Sequence, residues 1–163
     1  MAEQHQPSSF FHLANSPFKF RLFLLTKLPA AFIAGLRMVS CNEEACSVSI
    51  PFKWLTQNPF RSTYFACLSM AAEMSTGALA MANIYHRKPP ISMLITNVES
   101  SYHKKADGKT IFTCNEGAAI KEAIDTAYTV LSPQTIRVKS EGYNKHNALV
   151  AEFWFTWSFK VKQ

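Results

Sequence analysis

The segment ALVAEFWFTWSFKV, residues 148–161, alternates without a break. Leu149, Ala151, Phe153, Phe155, Trp157, Phe159 and Val161 fall on one side, and Val150, Glu152, Trp154, Thr156, Ser158 and Lys160 on the other. Successive side chains of a strand point to opposite faces, so the pattern predicts one long strand with a single buried face. A sheet holding this strand needs a second layer over its aromatic face. The chain offers a cover in TYFACLSMAAEMSTGALAMANIY, residues 63–85, its longest helical candidate. Ala66, Ser69, Ala72, Gly77 and Ala80 keep that helix slim, so a sheet can approach it closely. Ser62 or Thr63 is the expected N-cap, and the RKPP at 87–90 ends the helix.

The remaining segments fit the same two-layer plan. Residues 1–14 read as a loose polar lead-in, followed by an N-terminal helix over 15–28 with Asn15 or Ser16 as cap and Pro17 near its first position. Phe18, Leu22 and Leu25 share one helical face, although Phe18, Phe20, Leu22 and Leu24 also alternate as a strand would. GLRMVSCNEEACSVSIPF predicts two strands joined at Asn42-Glu43-Glu44. ISMLITNVESSYHKK and KTIFTCNE flank Asp107-Gly108, a hairpin signal. A second helix over 117–132 and a strand over QTIRVKSEGYN complete the order. The expectation is one α+β domain over 1–163, a mostly antiparallel sheet wrapped around a central helix.

With 163 residues, 48% of them hydrophobic and 17% charged, the chain can bury a core unaided and is not a disordered sequence. Its net charge of +6 is scattered apart from Arg87-Lys88 and Lys104-Lys105. That suits phosphate-bearing small molecules, and no basic run dense enough for nucleic acid occurs. Cys41, Cys46, Cys67 and Cys114 form no C-x-x-C pair and no zinc spacing. They read as buried free thiols in a reducing, cytoplasmic compartment, with no metal expected. Phosphate-loop, dinucleotide-loop and H-E-x-x-H motifs are missing.

Two apolar stretches invite a membrane reading. Residues 18–36 are interrupted by Lys19, Arg21, Lys27 and Pro29, unlike a signal peptide. An interfacial helix there is the remaining membrane-attached alternative. Residues 64–85 are long enough to cross a bilayer, but Glu73 at mid-span would cost ~2.5–3.5 kcal/mol, so stable insertion is not expected. Glu73 is the only formally charged residue between Arg61 and Arg87. Burying a lone carboxylate is costly, so Glu73 is either capped by Ser/Thr hydroxyls, paired with an Arg, or kept for chemistry.

The element order and the residues opening the long helix resemble the hot-dog fold thioesterases, in their phenylacetate-type (PaaI-like) branch with its DUF4442 relatives. Those enzymes carry an Asn in a loop, His-Gly-Gly at the helix start and an acid further along. Here Glu73 matches the acid, Asn58 the loop Asn, and Tyr64-Phe65-Ala66 stand where His-Gly-Gly would begin. VESSYHKKADGKTIFTC looks like the family's following segment, and the resemblance runs from about Leu28 to the C-terminus.

The resemblance implies an acyl-CoA thioesterase of hot-dog fold acting as a homodimer or tetramer. Glu73 would activate water or attack directly, Asn58 would orient water or substrate, and the Phe65 and Ala66 backbone N–H groups would hold the oxyanion. Ser69, Ser75 and Thr76 would line the same groove. Arg61, Tyr64, Arg87, Lys88, Lys104 and Lys105 would meet coenzyme A, which arrives as part of the substrate and not as a cofactor. A solvated charged rim is the other reading of these cations. His86 and His103 read as isolated surface histidines.

Tyr64 and Glu73 lie nine residues apart, or ~13.5 Å along a helix. One helix therefore cannot bring both to a single carbonyl, whereas two helices antiparallel across a two-fold axis could. Since fold does not fix function, a non-catalytic acyl-CoA or fatty-acyl binding protein is the alternative, and the loss of His-Gly-Gly favours it.

Overall fold

A computed structural model describes residues 8–162. Three short helices lead in: α1 (Ser8–Ala14), α2 (Pro17–Lys27) and α3 (Pro29–Ala34). Ser8–Ala14, expected as part of a loose lead-in, is thus helical; residues 1–7 lie outside the described residues. Phe10 and Ala14 are buried in the core, which is why α1 forms. The expected single helix over 15–28 ends at Lys27, because Pro29 starts a new one, with Leu28 as the break.

Strands β1 (Arg37–Cys41) and β2 (Cys46–Ile50) pair antiparallel across the expected turn, where Asn42 Oδ1 accepts the Glu44 and Ala45 amides at 2.9 and 2.8 Å. Helix α4 (Phe65–Ile84) follows, then β3 (Ile91–Tyr102), β4 (Thr110–Cys114), α5 (Gly117–Val130), β5 (Gln134–Asn144) and β6 (Leu149–Val161). The six strands form one antiparallel sheet ordered β1-β2-β4-β5-β6-β3.

The expected β3–β4 hairpin does not exist. β3 pairs with β6 at one edge, while β4 lies between β2 and β5. Gly108 does not take the positive φ that the expected Asp-Gly turn needs; among described glycines only Gly35 does. Instead the 103–109 connection crosses the open end of α4, and the Thr63 amide donates to the Ala106 carbonyl at 2.8 Å.

The alternating face of β6 is buried as expected, with Phe153, Phe155, Trp157 and Phe159 inside. Helix α4 lies against the sheet, and α5 packs beside it through Ile120, Ile124 and Ala127. Although α4 is long and apolar enough to cross a bilayer, most of it is buried inside the protein. This is an α+β hot-dog fold, a sheet wrapped on a central helix.

The sheet ends differently at its two edges. β1 is five residues long, bulged between Met38 and Ser40, and flanked by α1 and α2. β3 is twelve residues long and pairs on one side only, with Leu94, Val98 and Tyr102 exposed. A long half-paired edge presents a row of free backbone groups to a further strand.

Candidate active site

Most of α4 is buried, and in its first half the less buried positions form one stripe: Phe65 and Ala66, then Ser69 and Met70, then Glu73. Spacings of three and four residues put them on a single face. Glu73 is half-buried at the inner end of that stripe. Its carboxyl stands over Gly77, one turn on, where the Trp157 ring closes the same space.

Neither expected structural partner materialises. Thr76 Oγ1 accepts from Trp157 Nε1 at 3.0 Å and donates to the Glu73 backbone carbonyl at 2.9 Å, not to the carboxylate. Ser75 Oγ bonds the Ala72 carbonyl and Ser140 Oγ, each at 2.7 Å. Among the described residues no cation or donor reaches the Glu73 carboxylate. Burial without compensation pushes its proton affinity up to about 7, because desolvation disfavours the charged form. The protein thus holds a carboxyl poised near neutrality, open on one side.

The opening of α4 provides the complementary chemistry. Tyr64 is the N-cap and makes no side-chain cap, and the Phe65 and Ala66 N–H groups have no partner among the described residues. Free amides at a helix N-terminus, with the helix dipole behind them, suit a developing negative charge. Phe65 borders an open cavity of about 530 Å³ whose walls also include Asn58, Phe60, Tyr64, Leu68, Tyr102, His103, Lys104 and Lys105. The fold therefore gathers Asn58, Tyr64, Phe65, Lys104 and Lys105 from three separate segments.

Other expected site residues end up elsewhere. Arg87 binds Asp125 at 2.7 Å and stacks over Tyr128 at 3.9 Å, which ties α4 to α5. With Lys88 it lies at the opposite end of α4, a 20-residue helix of ~30 Å. Arg61 is exposed on the Asn58 loop, outside the cavity wall. Asn58 spends both ends of its side chain inside the turn. Its Oδ1 accepts the Phe60 and Ser62 amides at 3.0 and 3.2 Å, and its Nδ2 donates to Ser62 Oγ at 3.1 Å. These bonds hold the loop, and Asn58 also lines the cavity.

His103 is not isolated. Its Nε2 lies 2.7 Å from Glu152 Oε2 at the cavity wall, and Lys139 binds the same carboxylate. The hydrogen bonds from Lys139 and His103 hold the Glu152 carboxyl below its ordinary range. Sequence reasoning missed this pair because it depends on β3 lying beside β6.

Glu73 and the free amides do not meet within one chain. Phe65 and Glu73 are eight residues apart on α4, ~12 Å along its axis, and Glu73 is not part of the cavity wall.

Comparison with known proteins bears on the fold. No curated protein sequence matches this chain. A Pseudomonas aeruginosa protein of unknown function, called a probable thioesterase, superposes with a TM-score of 0.75 at 16% identity, covering 90% of this chain and 97% of its own. The PaaI protein from the phenylacetic acid degradation operon of E. coli superposes with a TM-score of 0.61 at 12% identity, covering 89% and 94%. A Haemophilus influenzae thioesterase does so at 0.58 and 12% identity, covering 85% and 87%. At such identities the likeness is one of fold. Residues 19–159 match the family described as a domain of unknown function, DUF4442. Because that match runs from α2 into β6, the chain belongs to the DUF4442 family, on the hot-dog fold it shares with the PaaI-like proteins.

Proposed function

We propose that this protein is an acyl-CoA thioesterase whose site is shared between two protomers. The observation that carries the reading is the unpartnered Glu73 carboxyl, held near neutrality on the open stripe of α4. A base with that proton affinity is matched to water activation at cellular pH.

A two-fold axis at the β3 edge would join two sheets and lay the two α4 helices antiparallel. Glu73 stands against Trp157 of β6, and Trp157 pairs with Ile95 of β3, so the carboxyl lies one strand in from that edge. In the dimer each Glu73 faces the α4 N-terminus of its partner.

Glu73 then takes a proton from water as the water oxygen attacks the thioester carbonyl. The Phe65 and Ala66 amides of the other protomer hold the oxyanion. Collapse of the tetrahedral intermediate breaks the carbon–sulfur bond, and the departing coenzyme A thiolate takes the proton from Glu73. Water and acyl thioester thus become carboxylic acid and free thiol. Lys104 and Lys105, with Arg61 on the neighbouring loop, meet the phosphates of coenzyme A. The four buried free cysteines suit a reducing, cytoplasmic setting.

One feature favours a second reading, acyl binding without hydrolysis. Tyr64 and Phe65 pack edge to face at 4.9 Å, both exposed, at the amides that must receive the carbonyl. A panel of acyl-CoA esters assayed for thiol release decides between the two. Release by the wild type that is lost in Glu73→Gln supports the thioesterase. Tight acyl binding by a wild type that releases no thiol replaces it with the binding protein.

A further inference from the structure

Two groups stand out among the exposed apolar side chains. One surrounds the cavity and β3, where a partner protomer would cover it. The other lies on the lead-in helices, which pack on β1 at the far edge of the sheet. A dimer built on β3 leaves this second group uncovered.

Helix α2 is apolar on both sides. Phe20 and Leu24 are buried at 2% and 0% exposure, while Phe18, Leu22 and Leu25 are 78%, 51% and 50% exposed. The exposed three follow one another at spacings of four and three, a single outward stripe. Leu28 and Ile33 extend it onto α3 and are also exposed. A surface helix ordinarily turns charge outward; this one presents leucine and phenylalanine.

Two polar side chains of α2 turn back onto backbone carbonyls. Thr26 turns its hydroxyl back onto the Leu22 and Phe23 carbonyls at 3.0 and 3.2 Å. Arg21 donates to the Phe32 carbonyl at 3.2 Å and lies 3.7 Å from the centre of its ring. Lys19, next to Phe18 in the chain, and Lys27, at the C-terminal end of α2, are both exposed.

Charge selects the occupant. From Gln4 to Asn42 the sequence contains no Asp or Glu, while Lys19, Arg21, Lys27 and Arg37 are all cationic. Glu43 reaches only the N-terminal end of α2, in a cavity with Asn15 and Ser16. A second copy docked face to face would set these cations against themselves with no acid to neutralise them. An anionic bilayer surface answers both properties, apolar depth for the stripe and negative headgroups for its rim. We propose that the α2–α3 face is a docking surface for anionic lipid membranes, binding reversibly at the interface without spanning it. It rests on none of the catalytic residues and stands whether or not the protein hydrolyses thioesters.

The test is co-flotation of the full chain with phosphatidylcholine vesicles, with and without phosphatidylserine. The expected result is capture by the phosphatidylserine vesicles alone, with release in high salt. Phe18→Ser/Leu22→Ser/Leu25→Ser abolishes capture, and Lys19→Glu/Lys27→Glu, which keeps the apolar stripe, weakens it by at least ~10-fold. Thermal midpoints of both variants should equal the wild type, since the changed side chains are exposed. The proposal is overturned if anionic vesicles do not capture the wild type, or if either folded variant is captured equally well. It is likewise overturned if the serine variant instead lowers the mass of the protein in sedimentation without vesicles, which would make the occupant a second copy.

Discussion

Gly77 lies one turn on from Glu73, and a Cβ at position 77 would stand 2.8 Å from Glu73 Oε1. The carboxyl occupies the space that any side chain at 77 would take. The clash falls on the free end of a flexible side chain, so Gly77→Ala should move the carboxyl without disrupting the helix. Alanine is the better helix former by ~0.8–1 kcal/mol, so the thermal midpoint should hold or rise. Thiol release should nevertheless drop ~10- to 100-fold, because a displacement of about 1 Å misaligns the attacking water. Thermal melts beside acyl-CoA assays separate the two effects.

Glu73 also sets a pH dependence with a definite sign. Its carboxyl is raised from 4.5 to about 7 in the folded protein by burial. The folded state therefore holds a proton that the unfolded state has lost between these values, so stability falls as pH rises from 4.5 to about 7. The full shift corresponds to roughly 3 kcal/mol. Glu73→Gln removes this term, and above pH 7 it should be more stable than the wild type while releasing ~10²-fold less thiol or lower still. Wild-type hydrolysis should climb with pH through a midpoint near 7. Denaturant melts at pH 5 and 8, paired with a pH–rate profile, check both.

The β3 edge should decide oligomeric state. Leu94 and Val98 are 64% and 47% exposed on a strand whose second side is unpaired. Leu94→Lys/Val98→Lys would set like charges against each other across a two-fold strand pairing. The expected outcome is a folded monomer in sedimentation with thiol release reduced at least ~100-fold, since each site loses its second helix.

What could be read from the residues was local. The alternation of β6, the slim helix α4, the Asn42 turn and Pro17 at the start of α2 are each written within one element. Glu73 stood out because its neighbours carry no charge. What needed the third dimension was partner choice. The Asp107-Gly108 signal is a local turn preference, and it lost to eleven register pairs between β3 and β6. Arg87 looked available for phosphate until α5 brought Asp125 to it. His103 looked solitary until β6 set Glu152 beside it. The face of Phe18, Leu22 and Leu25 was visible in its spacing, but which way it points follows only from the burial of Phe20 and Leu24.

Phe65 allows the shared site to be tested at the level of a single hydrogen. It is the first residue of α4, preceded by Tyr64 at φ −60 and ψ 134, a conformation that proline tolerates in the residue before it. Proline is itself favoured at the first helical position, so Phe65→Pro should fold while deleting one oxyanion N–H. Loss of one such donor lowers thiol release ~10²- to 10³-fold, whereas Phe65→Ala, which keeps the N–H, should lose far less. Phe65→Pro and Glu73→Gln protomers, each inactive alone, can then be unfolded and refolded together. A mixed dimer holds one site with an intact Glu73 from one chain and an intact amide from the other. With random pairing, activity should return to about one quarter of the wild type. If Glu73 and the Phe65 amide of one chain served the same carbonyl, every site in the mixture would lack one or the other, and no activity would return.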